Sequence, residues 1–301
     1  MQLSIIIVNY KNPPLIIQCV KSILQYEHTI DYEIIVVDNN SEDDTEQQLR
    51  TIFPGMKWIQ MGYNSGFAKA NNAGLKVAEG EYVLFLNADT ILIEPIFDKM
   101  MQPFAVDPKI GIVGCRLLNS DRSLQLSYHN GDHFFHKLWW RNPLAIKMGS
   151  SSKNLLEMER CRVAHSASHE PRWICGAAMI MHRQTIQEKN LYWDEDFFMY
   201  WEDVELCHRV HRTGLKVHYT PTISLVHLGG GGTNVPIERY ELMETSKLKC
   251  IEKTRGCFCR KIYVWMIKLE LNVEVRLECK KNKNIKGILQ REANYYGISK
   301  V

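Results

Sequence analysis

Short runs of apolar residues stop abruptly at clusters of Asn, Asp and Ser throughout the first ninety residues of this chain. Residues 3–8 end at Asn9-Tyr10, and residues 33–37 end at Asp38-Asn39-Asn40-Ser41. A shorter run, 57–61, leads to Asn64-Ser65-Gly66-Phe67, and 82–86 ends at Asn87-Ala88-Asp89. Apolar runs of this length, bounded by turn residues, read as strands buried on both faces. Helical patterns lie between them. Pro13 or Pro14 opens the first, because proline at the first helical position loses no hydrogen bond. Ser41 reads as the N-cap of a second, through Ile52. The third, 67–78, is alanine-rich and stops before Gly80. This alternation predicts an α/β fold, a mostly parallel central sheet with helices on both faces. Ligands in such sheets bind beyond the carboxyl ends of the strands. Four polar clusters on that edge would line a pocket for a polar ligand, although the same residue types also fill ordinary turns.

The rhythm changes after a strand at 110–115. Residues 118–171 are rich in His, Asn and Ser and hold the aromatics Phe134, Phe135, Trp139 and Trp140; they read as a long connection with some helix. Pattern returns with a small-residue strand at 173–182, a helix at 202–213 ended by Gly214, and a short strand at 216–220. From Pro236 onward the chain reads as helical. That tail is basic, with 15 Lys and Arg against 8 Asp and Glu, while the rest carries 22 against 26.

Bulk properties exclude several classes. A net charge of +3 over 301 residues gives no field for nucleic acid. No apolar stretch reaches the ~18 residues of a membrane span. The N-terminal run is too short for a signal peptide. Nine cysteines without framework spacing suggest reduced thiols and a cytoplasmic location. No G-x-G-x-x-G follows the first strand, no G-x-x-x-x-G-K-[ST] occurs, and no G-x-S-x-G elbow occurs. Cys161, His165 and His169 could share one helical face, but no C-x-x-C occurs and Cys257 and Cys259 are too close for a usual zinc pair.

Three elements carry chemistry. Asp89 at a strand end is a hard oxygen ligand for Mg²⁺ or Mn²⁺; without a glycine loop, a diphosphate here would need a metal and side chains. Asp89 is also good turn chemistry. Trp201-Glu202-Asp203-Val204-Glu205 puts carboxylates at a helix N-terminus, where the macrodipole favours them and where one could take a proton from a hydroxyl. His227 precedes four glycines, Gly229 to Gly232. Its imidazole could complete a metal shell, and the glycines would allow close backbone approach or a hinge.

In order along the chain, these segments resemble the family 2 glycosyltransferases, whose nucleotide-sugar-binding fold is called GT-A. The pieces are Ser4-Ile5-Ile6-Ile7-Val8-Asn9-Tyr10, Val36-Val37-Asp38-Asn39-Asn40-Ser41, and the stretch Asn64-Ser65-Gly66-Phe67 through Asn71-Asn72-Ala73-Gly74. Leu84-Phe85-Leu86-Asn87-Ala88-Asp89-Thr90, Trp173-Ile174-Cys175-Gly176-Ala177-Ala178 and Phe197-Phe198-Met199-Tyr200-Trp201-Glu202-Asp203 complete the set. The rhamnosyltransferase-like members that build bacterial surface polysaccharides look most similar.

The resemblance implies an inverting, metal-dependent transfer from a dTDP-, UDP- or GDP-sugar to a hydroxyl of a glycan or polyprenyl-linked acceptor. It implies a GT-A domain over 1–235, with a nucleotide-sugar half (1–115) and an acceptor half (116–235), followed by a basic helical extension (236–301). Asp38 would bind the base, with Asn9, Tyr10 and Asn40 alongside; Asn64, Gly66, Phe67 and Asn71 would shape the donor pocket. Asn87-Ala88-Asp89 stands in the place of the family's D-x-D element, so Asp89, with His227, would hold the cation. Asp203 matches the catalytic base, with Glu202 as a neighbour that contacts the acceptor beside Trp173, Gly176 and Trp201. The basic tail has two readings, a solvated helix face or a peripheral contact with anionic lipid at the membrane. A nucleotidyltransferase, which usually needs a glycine- and basic-rich first loop, and a non-catalytic carbohydrate-binding relative are the competing functions.

Overall fold

The computed structural model describes residues 1–129, 165–229 and 237–278, with side chains to 268. The aromatics at 134–140, Cys161 and residues 230–236 lie outside the described residues. Residues 1–130 with 156–232 form one compact unit, and the helices after residue 236 belong to a second.

The first unit is built on strands β1 (Leu3–Asn9), β2 (Tyr32–Asp38), β3 (Lys57–Gln60) and β4 (Tyr82–Asn87). They are mutually parallel in the order β3-β2-β1-β4. Asn9 is in register with Asp38, Asp38 with Gln60, and Val8 with Asn87. The polar clusters therefore do share one sheet edge.

The unbroken apolar runs are explained by burial on both faces. Ile5, Ile7, Val36, Leu84 and Leu86 enter one core, with Ile16, Cys19, Val20 and Ile23 of helix α1 (Pro13–Tyr26). Ile6, Ile35, Val37, Val83 and Phe85 enter the other, with Ala68, Ala70 and Leu75 of α3 (Phe67–Val77). Each fully buried aliphatic side chain contributes about 1.5–3 kcal/mol. The small residues of α3 have a packing reason, since a Cβ on Gly74 would lie 2.6 Å from Ile6 Cγ2.

Helix α2 (Thr45–Ile52) begins three residues later than expected, with Asp44 as its N-cap residue. Ser41 is no cap, because its N–H and hydroxyl both donate to Asp38. Beyond β4 come β5 (Thr90–Leu92), α4 (Phe97–Val106), β6 (Ile110–Leu118), β7 (Leu124–Gln125), β8 (Tyr128–His129), β9 (Trp173–Ile174) and β10 (Ala178–His182). Next are α5 (Arg183–Lys189), α6 (Glu202–Arg212) and β11 (Lys216–His227). β10 runs antiparallel between β4 and β6; β11 is parallel to β6 and antiparallel to β5. The strand expected at 173–182 is broken. β9 pairs with β8 in a separate two-stranded sheet, and only β10 joins the main sheet. The short strand expected at 216–220 continues to His227. Pro221 hides this in the sequence, because it falls at a register shift between Thr220 and Ser224, where a missing N–H is tolerated.

The second unit contains α7 (Ile237–Arg255) and α8 (Cys257–Glu278), separated by Gly256 at φ +89°. Leu248, Ile251, Tyr263 and Ile267 form its core.

Candidate active site

At the end of β2, the Asp38 carboxylate is saturated. Oδ1 accepts from Asn9 Nδ2 (2.8 Å) and the Ser41 hydroxyl, and Oδ2 accepts from the Ser41 N–H (2.8 Å) and Gln60 Nε2 (3.1 Å). Four donors use all the acceptor sites of a carboxylate, and Asp38 is only 2% exposed. Asn9 is buried, with Oδ1 unpartnered. Tyr10 stands 45% exposed at the same edge. Asn40 takes a left-handed turn (φ +64°) and donates to Glu42.

The loop before α3 is fastened to a distant part of the chain. Asn64 Oδ1 accepts the Gly66 N–H (3.2 Å), and Asn39 holds both the Ser65 hydroxyl and the Gly66 carbonyl. Phe67 N–H donates to Phe198 O at 2.7 Å. Gly66 has φ +82°, and a Cβ there would lie 2.4 Å from that same carbonyl, so the contact requires glycine. The Asn71 amide turns back to Phe67 O within α3. Its neighbour Asn72, which the motif reading passed over, grips Trp193 through both backbone groups and also reaches Glu195.

The β4 end meets the β11 end. β5 pairs with β11, His227 opposite Thr90, which carries His227 to Asp89. Asp89 Oδ1 lies 3.3 Å from His227 Nε2, and Asn87 Nδ2 is also 3.3 Å from that nitrogen. Burial pushes the Asp89 carboxyl up, but the protonated form of the His227 imidazole and the Gly229 N–H outweigh it and hold the group below the usual aspartate value. Ligands in adjacent octahedral positions of a small divalent ion stand about 3 Å apart, so this pair fits one. Asn87 Oδ1 is buried with no partner, a further oxygen suited to such a site. Among the described residues no group of three or more His, Cys, Asp and Glu converges as a metal shell.

The second carboxylate cluster sits on an unusual turn. Tyr200 (φ +70°) and Trp201 (φ +69°) are both left-handed, a conformation that costs bulky residues about 1–3 kcal/mol each. That turn starts α6 and sets Glu202 and Asp203 in its first turn. Asp203 Oδ2 accepts the Gly176 N–H (3.0 Å) and Oδ1 the Val204 N–H (2.8 Å). Glu202 is buried, with Oε2 unpartnered. Burial, and then the Asp203 charge, pushes the Glu202 carboxyl up to about 8. Burial also raises Asp203, against the pull of its two N–H donors.

The break between β9 and β10 joins the two ends. Gly176 donates to Asp203, while the Asn87 N–H donates to Ala177 O at 2.9 Å. The Cys175 thiol, pushed up to about 12 mainly by burial, also feels Asp203, Glu202 and Asp89. The 175–177 segment thus links the strand end next to Asp89 with the start of α6. Trp173 lies on β9, which packs against α6, and Trp201 is half-buried beside Glu202. Gln125, on β7, accepts from His227 Nδ1 at 2.7 Å. It falls in the stretch read only as a connection, and nothing in the sequence points to it.

Solved structures of similar fold place this architecture. A Staphylococcus aureus TarS fragment in complex with UDP aligns with 98% of the chain and 78% of its own, with a TM-score of 0.56 and 16% identity. GalNAc-T7, solved with UDP, GalNAc and Mn²⁺, aligns with 84% of the chain and 48% of its own, with a TM-score of 0.58 and 13% identity. The O-antigen biosynthesis protein RfbC of Myxococcus xanthus is 26% identical over 238 residues, 75% of this chain and 17% of that one. Rhamnosyltransferase WbbL of Escherichia coli is 24% identical over 206 residues, 65% of this chain and 72% of that one. The chain spans less than half the length of several relatives it matches. The family description "Glycosyl transferase family 2" matches residues 4–162. That match covers strands β1 to β4, Asp38 and Asp89 in one stretch, and on it the chain belongs to glycosyl transferase family 2.

Proposed function

We propose that the chain is an inverting, metal-dependent glycosyltransferase of surface polysaccharide synthesis. It would move a sugar, of hexosyl or rhamnosyl type, from a dTDP-, UDP- or GDP-sugar to a hydroxyl of a glycan or polyprenyl-linked acceptor. The observation that carries this reading is the 175–177 segment, hydrogen-bonded to Asn87 on one side and to Asp203 on the other.

Residues 1–115 take the donor and 116–235 the acceptor. Tyr10 stacks on the base, while Asp38 meets its polar edge by giving up Gln60, the longest of its four bonds. Asp89 and His227, with Asn87 beside them, would hold a divalent cation, Mn²⁺ or Mg²⁺. When bound, the cation neutralises charge on the departing nucleoside diphosphate. Asp203 takes the proton of the attacking hydroxyl, and its raised pKa makes it a stronger base than an exposed aspartate. Glu202 holds a proton near neutrality, so the pair carries one charge and Glu202 can donate to the acceptor. Trp201, Gly176 and Trp173 border that side. Attack opposite the leaving group inverts the anomeric carbon, and holding both substrates in one site supplies the entropic advantage.

The location we assign is cytoplasmic, against the membrane face. No helix among the described residues is long and apolar enough to cross a membrane. Phe258 (74% exposed) and Trp265 (61%) lie on the α8 face opposite Tyr263 and Ile267, alongside Lys261. Aromatic and basic side chains on one helix face suit an anionic lipid interface.

The test is thermal shift with UDP, dTDP and GDP, each with and without Mn²⁺, followed by a hydrolysis screen of nucleotide sugars. A ligand at 100 times its Kd should stabilise by about 2.7 kcal/mol. Stabilisation only when both are present, and hydrolysis of one donor, support the reading. No shift with any combination would favour a non-catalytic relative; release of pyrophosphate from a nucleoside triphosphate would favour a nucleotidyltransferase.

A further inference from the structure

We propose that Gln125 is the positioning residue that selects the metal-binding tautomer of His227. The inference rests on the cation site proposed above, and it begins from the hydrogen bonds of one side-chain amide. The far end of the Gln125 side chain makes three contacts. One end lies 3.2 Å from the backbone carbonyl of His227 and 3.0 Å from Asn119 Oδ1. A backbone carbonyl can only accept, so that end is the amide NH₂. The other end is then the carbonyl oxygen, which lies 2.7 Å from His227 Nδ1. An amide oxygen can only accept, so Nδ1 carries the proton. In the neutral ring, Nε2 is left with a lone pair.

That lone pair is where an ion would need it. Nε2 lies 3.3 Å from Asp89 Oδ1 and 3.3 Å from Asn87 Nδ2, whose N–H suits an unprotonated nitrogen. Were Gln125 absent, the ring could place its proton on Nε2 and present N–H to the site instead. The second contact, to the carbonyl of His227 itself, also fixes the backbone from which the ring projects. Asn119 is fastened in turn by Nδ2 to the Ser123 hydroxyl (2.9 Å), so the whole turn from 119 to 125 braces one imidazole. Outer partners of this kind are worth ~10–100-fold in metal affinity.

The experiment uses the full chain with ¹⁵N-labelled histidine. In the metal-free protein near pH 8, two-bond ¹⁵N–¹H correlation spectra should show His227, identified by its loss in His227→Ala, as the Nδ1–H tautomer. Gln125→Met, which fills similar space without an acceptor, should shift His227 toward Nε2–H. The Kd for Mn²⁺ in the presence of UDP, read by electron paramagnetic resonance, should rise ~10–100-fold. Asn119→Ala leaves the Gln125 carbonyl in place and should raise Kd by less; it carries the test if Gln125→Met does not fold. An Nε2–H tautomer in the wild-type protein, or a Gln125→Met variant with unchanged tautomer and Kd, overturns the assignment. If the wild-type protein binds no Mn²⁺, the cation reading fails by itself, and the tautomer spectra alone decide the role of Gln125.

Discussion

Asp89 is a partly buried carboxylate and Glu202 a buried one, and their surroundings push them in opposite directions. Asp89 has a backbone N–H and, when the His227 ring is protonated, an imidazolium beside it, and these favour its ionised form despite burial. Glu202 has an unpartnered oxygen and a second carboxylate beside it, so it tends to keep its proton. One environment favours the carboxylate; the other favours the carboxylic acid. Asp38 is a third case, a carboxylate whose acceptor sites are occupied by the loop it organises. Residue type alone would have assigned all three the same chemistry.

The sharpest way to break this comparison is Asp203→Asn. Transfer should fall ~10²–10⁴-fold while donor affinity stays within a few-fold by calorimetry; lost donor binding would move Asp203 to the donor side. In the wild-type protein, the acid limb of kcat/KM should lie above the ordinary aspartate pKa of about 3.9, because burial raises Asp203. Asp89→Asn comes next. The Kd for Mn²⁺ with UDP should rise by more than the ~10-fold expected for an outer partner, and an unchanged Kd would remove Asp89 from the cation site.

A smaller effect is expected where the two sides are fastened together. Gly66→Ala puts a Cβ against Phe198 O at a left-handed position. It should destabilise the chain by about 2–3 kcal/mol in urea unfolding; a neutral substitution would show that the 66–198 contact is dispensable. A further prediction concerns Glu202. Its folded pKa is raised, so the folded chain holds a proton that the unfolded chain loses between about 4.5 and about 8. Stability attributable to this group therefore falls as pH rises through that window. Glu202→Gln removes the loss, so its Tm should exceed that of the wild type above pH 8 and converge with it near pH 4.5. A gap that does not change with pH would mean that Glu202 is not protonated in the fold.

Elements whose signal is local were legible in advance. The strands ending at Asn9, Asp38 and Asn87 needed only an apolar run and a polar stop, and Pro13 does open α1. Elements whose signal depends on partners were not. Ser41 has the chemistry of a helix cap, but Asp38 is nearer and takes both its donors. Asn71 and Asn72 are consecutive identical residues, and only the approach of Trp193 shows which one holds another segment. Pro103 in the body of α4 concealed that helix, as Pro221 concealed the length of β11.

The sequence alone determined the first four strands and that their carboxyl ends are polar, because burial on two faces requires continuous apolar side chains and an edge does not. It also determined which carboxylates and which histidine are available there. Only the tertiary structure decided their protonation and their partners. A pKa depends on the field and solvent at a point in space, and that point at Glu202 is set by a strand break and a helix start that are far apart in the chain. The tautomer of His227 was likewise decided by a glutamine some hundred residues earlier, whose position follows from sheet pairing that no local pattern encodes.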